Sequence, residues 1–170
     1  MERVAAGDER AQRELATRLA GRVRRTSLAI LRNGADADDA SQVALLELLR
    51  SAKTFRGEGT LEHWADRVVA RTALRMARDA RTRTGRDRTA DSEDTMGAPP
   101  ALADGPANAM DVEHYLQHLP EVRRSTLVLR HVLGYSVEEV ASLTGVSPNT
   151  VKDRLVQALQ EVRSRVRRDP

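Results

Sequence analysis

Residues 136–156 read SVEEVASLTGVSPNTVKDRLV, and this stretch carries several agreeing local structural signals. Ser136 and Glu139 have the spacing of a capping box, in which each side chain accepts a hydrogen bond from the other residue's backbone N–H. Gly145 follows, and glycine readily adopts the positive φ of a sharp turn. Ser147 can cap a second helix that begins with the proline after it. The stretch therefore predicts two helices joined by a tight turn.

This pattern is that of a helix-turn-helix. Ala141 is small enough for the second helix to cross nearby, and Val151 fills the angle between the two helices. Polar side chains in the first turns of the second helix are those that can reach base edges in the major groove. An ordinary helical hairpin remains the alternative. We predict a DNA-binding face made of Ser147, Asn149, Thr150, Lys152, Asp153, Arg154 and Gln157.

The composition of the 170-residue chain excludes several classes of protein. With no cysteine, it has no disulfide scaffold, thiolate zinc site, iron–sulfur cluster or cysteine nucleophile. Aromatic residues are only 2%, which weighs against a β-sandwich or barrel. No apolar run reaches the ~18–20 residues needed to cross a bilayer, and the first residues do not resemble a secretory signal. We therefore expect a cytoplasmic protein.

Charge alone does not identify a partner. Lys+Arg is 28 against 25 for Asp+Glu, a net charge of +3, and only Lys53 and Lys152 are lysines. Arginine stays charged and binds phosphate with a planar fork, although a GC-rich genome would produce the same bias. The charges are spread along the chain with no basic tail. Any binding to DNA must therefore depend on where individual charged side chains are placed.

The chain divides into two helical parts. Glycine, proline and small polar residues dominate the middle, a composition typical of a linker. We predict an all-α protein with two small helical domains, residues 1–82 and 111–170, joined by a flexible linker over 83–110. Asp8 is expected to cap the first long helix, and Asn33-Gly34 to end it.

Apolar spacing predicts which residues point inward. The residues expected to face the cores are Leu15, Leu19, Val23, Leu28, Leu31, Val43, Leu45, Leu46, Leu48, Leu49, Leu61, Trp64, Val68, Met76, Val112, Tyr115, Leu116, Leu119, Val122, Leu127, Leu129, Val132, Leu133, Val140, Ala141, Leu143, Val151, Leu155, Ala158, Leu159 and Val162. His114 and His118 have the i,i+4 spacing of a metal pair, with Asp111 nearby, but no further cluster completes a site. We expect an exposed polar face there and no metal or cofactor.

Several motifs together resemble the extracytoplasmic-function sigma factors of bacterial RNA polymerase, in the sigma-70 family. Stretches similar to sigma region two are 7–11, 36–42 and 55–64, including the sequence FRGEGTL. Stretches similar to region four are 119–120, 127–130, 134–136 and 150–152. The resemblance covers nearly the whole chain.

The resemblance implies a function and its site residues. Region two would bind the clamp helices of core RNA polymerase through Asp36, Asp38, Asp39, Gln42, Leu46 and Leu49. It would open the minus-ten element and hold a flipped base through Phe55, Arg56, Gly57, Glu58, Gly59, Thr60, His63, Trp64, Arg67 and Arg71. Region four would read the duplex minus-thirty-five element with its second helix. The implied protein is not an enzyme, and an anti-sigma protein, soluble or membrane-anchored, is its expected inhibitor.

At several positions this sequence carries a residue that differs from the type usual in the family, which is a glutamate, an aromatic residue, an asparagine, a serine, a histidine or an arginine. They are Val43, Leu49, Arg71, Asp153, Val156, Gln157 and Leu159. Fewer phosphate contacts would weaken DNA binding. Two alternatives follow. One is a helix-turn-helix regulator that does not recruit polymerase, and the other is a sigma-like interaction protein without promoter-opening activity.

Overall fold

The computed structural model describes residues 1–31, 33–83 and 115–167, and within them the regular structure is helical with no strand. The first half contains α1 (Glu2–Ala5), α2 (Glu9–Leu31), α3 (Gly34–Arg50), a 3-10 turn (Ala52–Thr54) and α4 (Leu61–Arg83). The second half contains α5 (Glu121–Leu127), a π-helical turn (Val128–Val132), α6 (Val137–Thr144) and α7 (Pro148–Val166). None of these helices is long and apolar enough to cross a membrane. The all-α prediction is confirmed.

Local capping explains where the first helices begin. The Asp8 carboxylate accepts a hydrogen bond from the Ala11 N–H at 3.0 Å, as predicted. Asn33 has a further role, since its side chain accepts from the Ala35 N–H and so caps the start of α3. The Thr60 hydroxyl accepts from the His63 N–H at 3.1 Å and caps α4. Each cap satisfies a backbone donor that the first turn leaves without an intrahelical partner.

Leucine spacing located the buried faces of α3 and α4 only in part. In α3, Leu48 is buried among alanines, whereas Leu46 remains 53% exposed. In α4, the predicted inward residues Trp64 and Val68 are only half-buried, on its flank. Five other residues of α3 and α4 that were predicted to face the core are also half-buried: Val43, Leu45, Leu49, Leu61 and Met76. Half of the fully buried residues of α4 are alanines, and the others are Asp66, Val69, Thr72 and Leu74. Small side chains there let neighbouring helices approach closely, which leaves the larger ones at the margins.

The π-helical turn corrects a second prediction. Val132 was expected to point inward, but it is 65% exposed. The wider turn over Val128–Val132 shifts the helical register, so Val132 faces outward, while Leu129 and Leu133 are buried as predicted. Gly134 then takes a φ of 73° and ends this helical segment, a conformation that glycine adopts readily.

The two halves pack against each other. One core cluster contains Leu28 and Ile30 of α2 and Ala73 of α4 together with Leu129 and Tyr135 of the second half. A second cluster lies within the first half, between α1, α2, α3 and α4. Most of the predicted linker and the residues Asp111, Val112 and His114 lie outside the described residues. Among the described residues, no group of three potential ligands is close enough to hold a metal ion.

Candidate nucleic-acid interface

The helix-turn-helix has the predicted local geometry. The Ser136 hydroxyl accepts from the Glu139 N–H at 3.1 Å, and the Glu139 carboxylate accepts from the Ser136 N–H at 2.8 Å, which completes the capping box. Gly145 ends α6 with a φ of 72°. The Ser147 hydroxyl accepts from the Thr150 N–H at 3.1 Å and caps α7. These contacts fix the angle at which α7 leaves the turn.

The predicted DNA-binding residues lie at the amino-terminal end of α7. Val151, Leu155 and Ala158 bury the opposite side of this helix. Thr150 and Arg154 are half-buried, and the other members of the set, Ser147, Asn149, Lys152, Asp153 and Gln157, are exposed. The structure therefore distributes the set from the N-cap of α7 to the middle of the helix, with five of its seven members exposed.

The predicted minus-ten loop precedes α4. The rings of Phe55 and Trp64 meet edge to face with centroids 5.5 Å apart, so the loop is fastened to the start of α4. Gly57 adopts a φ of 73°, which a side chain would strain. The loop residues Arg56, Gly57, Glu58, Gly59 and Thr60 are all exposed. The structure thus brings the loop and Trp64 together, next to the exposed side chain of His63.

The second half of the molecule covers the next part of the predicted minus-ten face. The Arg67 guanidinium lies 4.7 Å from the centre of the Tyr135 ring and forms an ion pair with Glu139. The Tyr135 hydroxyl donates to the Arg67 carbonyl oxygen at 3.3 Å. A Cβ atom added to Gly134 would lie 4.0 Å from the His63 ring, so Gly134 of the second half lies beside this residue of the first half. Arg71, the last member of the predicted set, is exposed.

Electrostatics at this contact follow from the same groups. The pKa of Glu139 is lowered, first by the hydrogen bond from the Ser136 N–H and then by Arg67. Burial raises the pKa of the Tyr135 hydroxyl, and the positive charge of Arg67 partly opposes that rise. Glu139 therefore caps α6 and binds α4 with one carboxylate.

Comparison with known proteins identifies both halves. A family model described as Sigma-70 region 2 matches residues 15–83, and one described as Sigma-70, region 4 matches residues 109–162. The ECF RNA polymerase sigma factor SigM of Mycobacterium tuberculosis is 33% identical over 156 residues, covering 90% of this chain and 76% of the relative. The chain belongs to the ECF sigma factors of the sigma-70 family. The RNA polymerase sigma factor CarQ of Myxococcus xanthus is 31% identical, covering 96% and 93%.

Solved structures show the same fold. One is the sigma factor RpoE in complex with the anti-sigma factor NepR from Bartonella quintana, with a TM-score of 0.58, 19% identity and coverage of 93% of this chain and 98% of that chain. Another is CnrH in complex with the cytosolic domain of CnrY, with a TM-score of 0.52, 20% identity and coverage of 99% and 96%. The predicted family is confirmed, and the protein is a promoter-directing sigma factor.

The residues predicted to meet polymerase lie on α3 of this sigma factor. Asp36 lies in its first turn, whereas Asp38 and Asp39 fall just beyond, because α3 begins at Gly34. Asp38 pairs with Arg24 of α2 at 2.8 Å. Leu49 is half-buried, and the exposed members of the set are Asp36, Asp38, Asp39, Gln42 and Leu46.

Contacts that join α4 to region 4 are absent from the sequence predictions. Arg78 donates to the Leu143 carbonyl oxygen at 2.8 Å, at the end of α6. Arg81 pairs with Glu121 of α5 at 2.7 Å. No local sequence pattern predicts these contacts, because the partners are separated by 65 and 40 positions in sequence.

An ion pair inside region 2 that involves a buried carboxylate is also absent from the sequence predictions. Asp66, 5% exposed, accepts from Arg22 through both carboxylate oxygens, at 2.9 and 2.6 Å, and from the Thr26 hydroxyl at 3.2 Å. A buried carboxylate requires such partners. On the other side of α4, Glu47 accepts from Thr72 and Arg75. These groups orient α4 relative to α2 and α3, and thereby position the loop before it.

Proposed function

We propose that this sigma factor binds core RNA polymerase, reads a duplex minus-thirty-five element with region 4 and opens a minus-ten element with region 2. Membership in the ECF sigma family is the observation that carries the proposal. We assign region 2 to residues 1–82, the linker to 83–110 and region 4 to 111–170. The polymerase supplies the chemistry of RNA synthesis, so the proposed role of the sigma factor needs no catalytic residue or cofactor of its own.

The end of α7 supports the assignment of duplex recognition. Asn149 and Lys152 are exposed in the first turns, where side chains of a recognition helix approach bases and phosphates. Asp153 and Gln157 are also exposed. Asp153 adds a negative charge, which would repel a phosphate and favour contact with a base that donates a hydrogen bond. The proposal is that this face reads an element distinct from those of relatives with serine here.

The loop before α4 supports the assignment of strand opening. A flipped base needs a polar rim and a stacking surface. Phe55 and Trp64 provide the rings, and Arg56, Glu58 and Thr60 provide an exposed polar rim beside them. Because the two rings pack on each other, the loop holds its shape before DNA arrives.

The exposed surface of α3 supports the assignment of polymerase binding. Leu46 is 53% exposed and lies on the same helix as exposed Asp36, Asp39 and Gln42. An exposed leucine on a helix whose first half carries exposed carboxylates suits a partner surface that offers basic groups beside an apolar contact.

An anti-sigma protein is the proposed regulator. Among the solved structures with this fold, one holds the sigma factor RpoE in complex with the anti-sigma factor NepR, and another holds CnrH in complex with the cytosolic domain of CnrY. We propose that the chain acts in the bacterial cytoplasm and that such a partner holds it inactive, at the membrane where the partner is anchored there.

In vitro transcription tests the proposal. The purified chain is mixed with core RNA polymerase and the genomic DNA of its source organism, and transcript starts are mapped by sequencing. New starts that share a minus-ten and a minus-thirty-five element are expected only when the chain is present. No binding to polymerase and no new starts would contradict the proposal and favour a helix-turn-helix regulator.

The variants Phe55→Ala and Trp64→Ala test the opening loop. Both should reduce promoter opening, measured by permanganate reactivity of unpaired thymines, about tenfold or more, while duplex binding by the same full-length chains changes little. Trp64→Phe keeps a ring and should restore part of the opening. Equal opening by all three variants and the parent would remove the loop from the mechanism.

A further inference from the structure

Asp153 is an unpaired carboxylate on the face that we assign to duplex DNA. It is exposed on α7, and among the residues that the structure describes its side chain has no hydrogen-bond or ion-pair partner. Because α7 begins at Pro148, Asp153 lies beyond the first turn, the part of a helix in which the dipole stabilises a carboxylate. No cation occupies its neighbouring positions on the helix surface, which are Asn149, Thr150, Val156 and Gln157. The fold of α7 therefore does not explain this negative charge.

Asp153 also occupies the most outward position of α7. Val151, Leu155 and Ala158 form the buried side of this helix. With about 3.6 residues per turn, Asp153 lies nearly opposite all three. When a recognition helix lies in the major groove, the side opposite its packed face is nearest to the base edges. The carboxylate is thus placed to meet a base, whereas the phosphates lie at the rim of the groove.

The hydrogen-bonding chemistry of a carboxylate favours one base. An ionised carboxylate only accepts hydrogen bonds, and the donors in the major groove are the N4 amino group of cytosine and the N6 amino group of adenine. Adenine places its N7 acceptor beside that amino group, where it repels the second carboxylate oxygen. Cytosine has a C5–H at the corresponding place. Cytosine is therefore the base that suits Asp153.

Val156 offers an apolar contact next to this carboxylate. It follows Asp153 by three positions, so the two side chains are neighbours on the helix surface, and it is 53% exposed. In the major groove, thymine offers an apolar group through its C5-methyl. Three helical residues rise about 4.5 Å and one base-pair step is about 3.4 Å, so the two contacts fall within one or two base pairs.

We propose that Asp153 and Val156 set the sequence preference of the duplex-reading face. The Asp153 carboxylate accepts a hydrogen bond from the N4 amino group of a cytosine, and Val156 packs against the methyl group of a thymine one or two base pairs away. The negative charge of Asp153 repels phosphates, so it weakens binding to duplexes that lack this cytosine. This inference rests on the proposed function of α7 as the duplex-reading helix.

Selection from a pool of randomised duplexes tests the role of Asp153. The full-length chain is used alone and with core RNA polymerase, and the retained duplexes are sequenced. The parent should retain duplexes with a cytosine at one fixed position. Asp153→Asn should retain adenine there, because an amide pairs with both N6 and N7 of adenine, and Asp153→Ser should relax the preference at least about fivefold. The matched variant Asp79→Asn, which neutralises an exposed carboxylate on α4, should keep the parental cytosine.

The same selection distinguishes recognition of a base from simple repulsion. If Asp153 only repelled phosphates, Asp153→Asn would bind every duplex more tightly and leave the selected bases unchanged. That outcome, or an element selected by the parent without a fixed cytosine, would overturn the proposal.

Replacement of single thymines by deoxyuridine tests the contact of Val156. Deoxyuridine lacks only the methyl group, so one replacement near the fixed cytosine should weaken binding by the parent about threefold. Val156→Ala shortens the side chain and should lose most of this sensitivity. Equal sensitivity of the parent and Val156→Ala at every thymine would remove Val156 from the proposal.

These experiments separate the inference from the proposed function. A chain that does not bind core RNA polymerase would contradict the proposed function, while the duplexes retained by the chain alone would still decide the role of Asp153. A parent that retains no duplex sequence, alone or with polymerase, would overturn the inference, and the mapped transcript starts would decide promoter opening independently.

Discussion

The proposed duplex-reading face of α7 and the proposed strand-opening face of α4 differ in whether local or long-range contacts form them. The first is built from neighbours in sequence, with caps at Ser136 and Ser147 and a turn at Gly145, and its polar side stays exposed. The second is built on a long helix whose Arg67 is engaged by residues about seventy positions away. The difference shows that a local motif can present its face alone, whereas the α4 face depends on where region 4 lies.

Removal of the covering ring should have the largest effect. Tyr135→Ala deletes a buried side chain that joins both halves of a shared core, and such truncations cost about 3–5 kcal/mol in the free energy of unfolding. Urea denaturation measures the loss. Tyr115→Ala, at the other, half-buried tyrosine, should cost much less. Equal losses at the two positions would mean that Tyr135 does not hold the contact.

A substitution on the exposed face should leave the fold intact and change DNA binding. Lys152→Ala should weaken duplex binding and reduce the slope of log affinity against log salt by about one unit if the ammonium meets a phosphate. The matched change is Arg163→Ala, which also removes one exposed positive charge near the far end of α7. Identical salt slopes for the two variants would exclude Lys152 from the phosphate contacts. Fluorescence anisotropy with promoter duplexes over a salt series supplies the slopes.

The acid sensitivity contributed by Glu139 should be the smallest effect, and it reports on the covered face because Glu139 pairs with Arg67 there. The folded pKa of Glu139 is lowered, so its stabilising contribution is complete above the unfolded value of about 4.3 and is lost as pH falls through the folded pKa. The unfolding free energy of the parent should therefore decrease more between neutral pH and pH 3 than that of Glu139→Gln. Parallel pH profiles would contradict the lowered pKa.

The sequence predicted the parts of the fold that depend on neighbouring residues. The capping box at Ser136, the turn at Gly145 and the helix starts at Asp8 and Ser147 are confirmed, because a cap or a turn involves only a few consecutive residues. The sigma family is confirmed as well, through motifs distributed over both halves. The roles of the individual DNA- and polymerase-binding residues stay predictions.

Predictions failed where a helix had several apolar faces to choose from. Leucine spacing on α3 placed Leu46 inward, but the alanine face with Leu48 is the one that packs. Val132 was misplaced because a π-helical turn shifts the register by an amount that no local residue pattern indicated.

By itself, the sequence determined an all-helical sigma factor with a helix-turn-helix whose reading face is set by caps and a glycine turn. Only the tertiary structure decided that Arg67 stacks on Tyr135, that Glu139 serves two helices and that Arg22 and Asp66 pair. The physical reason is the distance along the sequence between the residues that interact. Backbone hydrogen bonds of caps and turns form between adjacent residues, whereas ion pairs and ring contacts between helices depend on packing that the whole chain fixes at once.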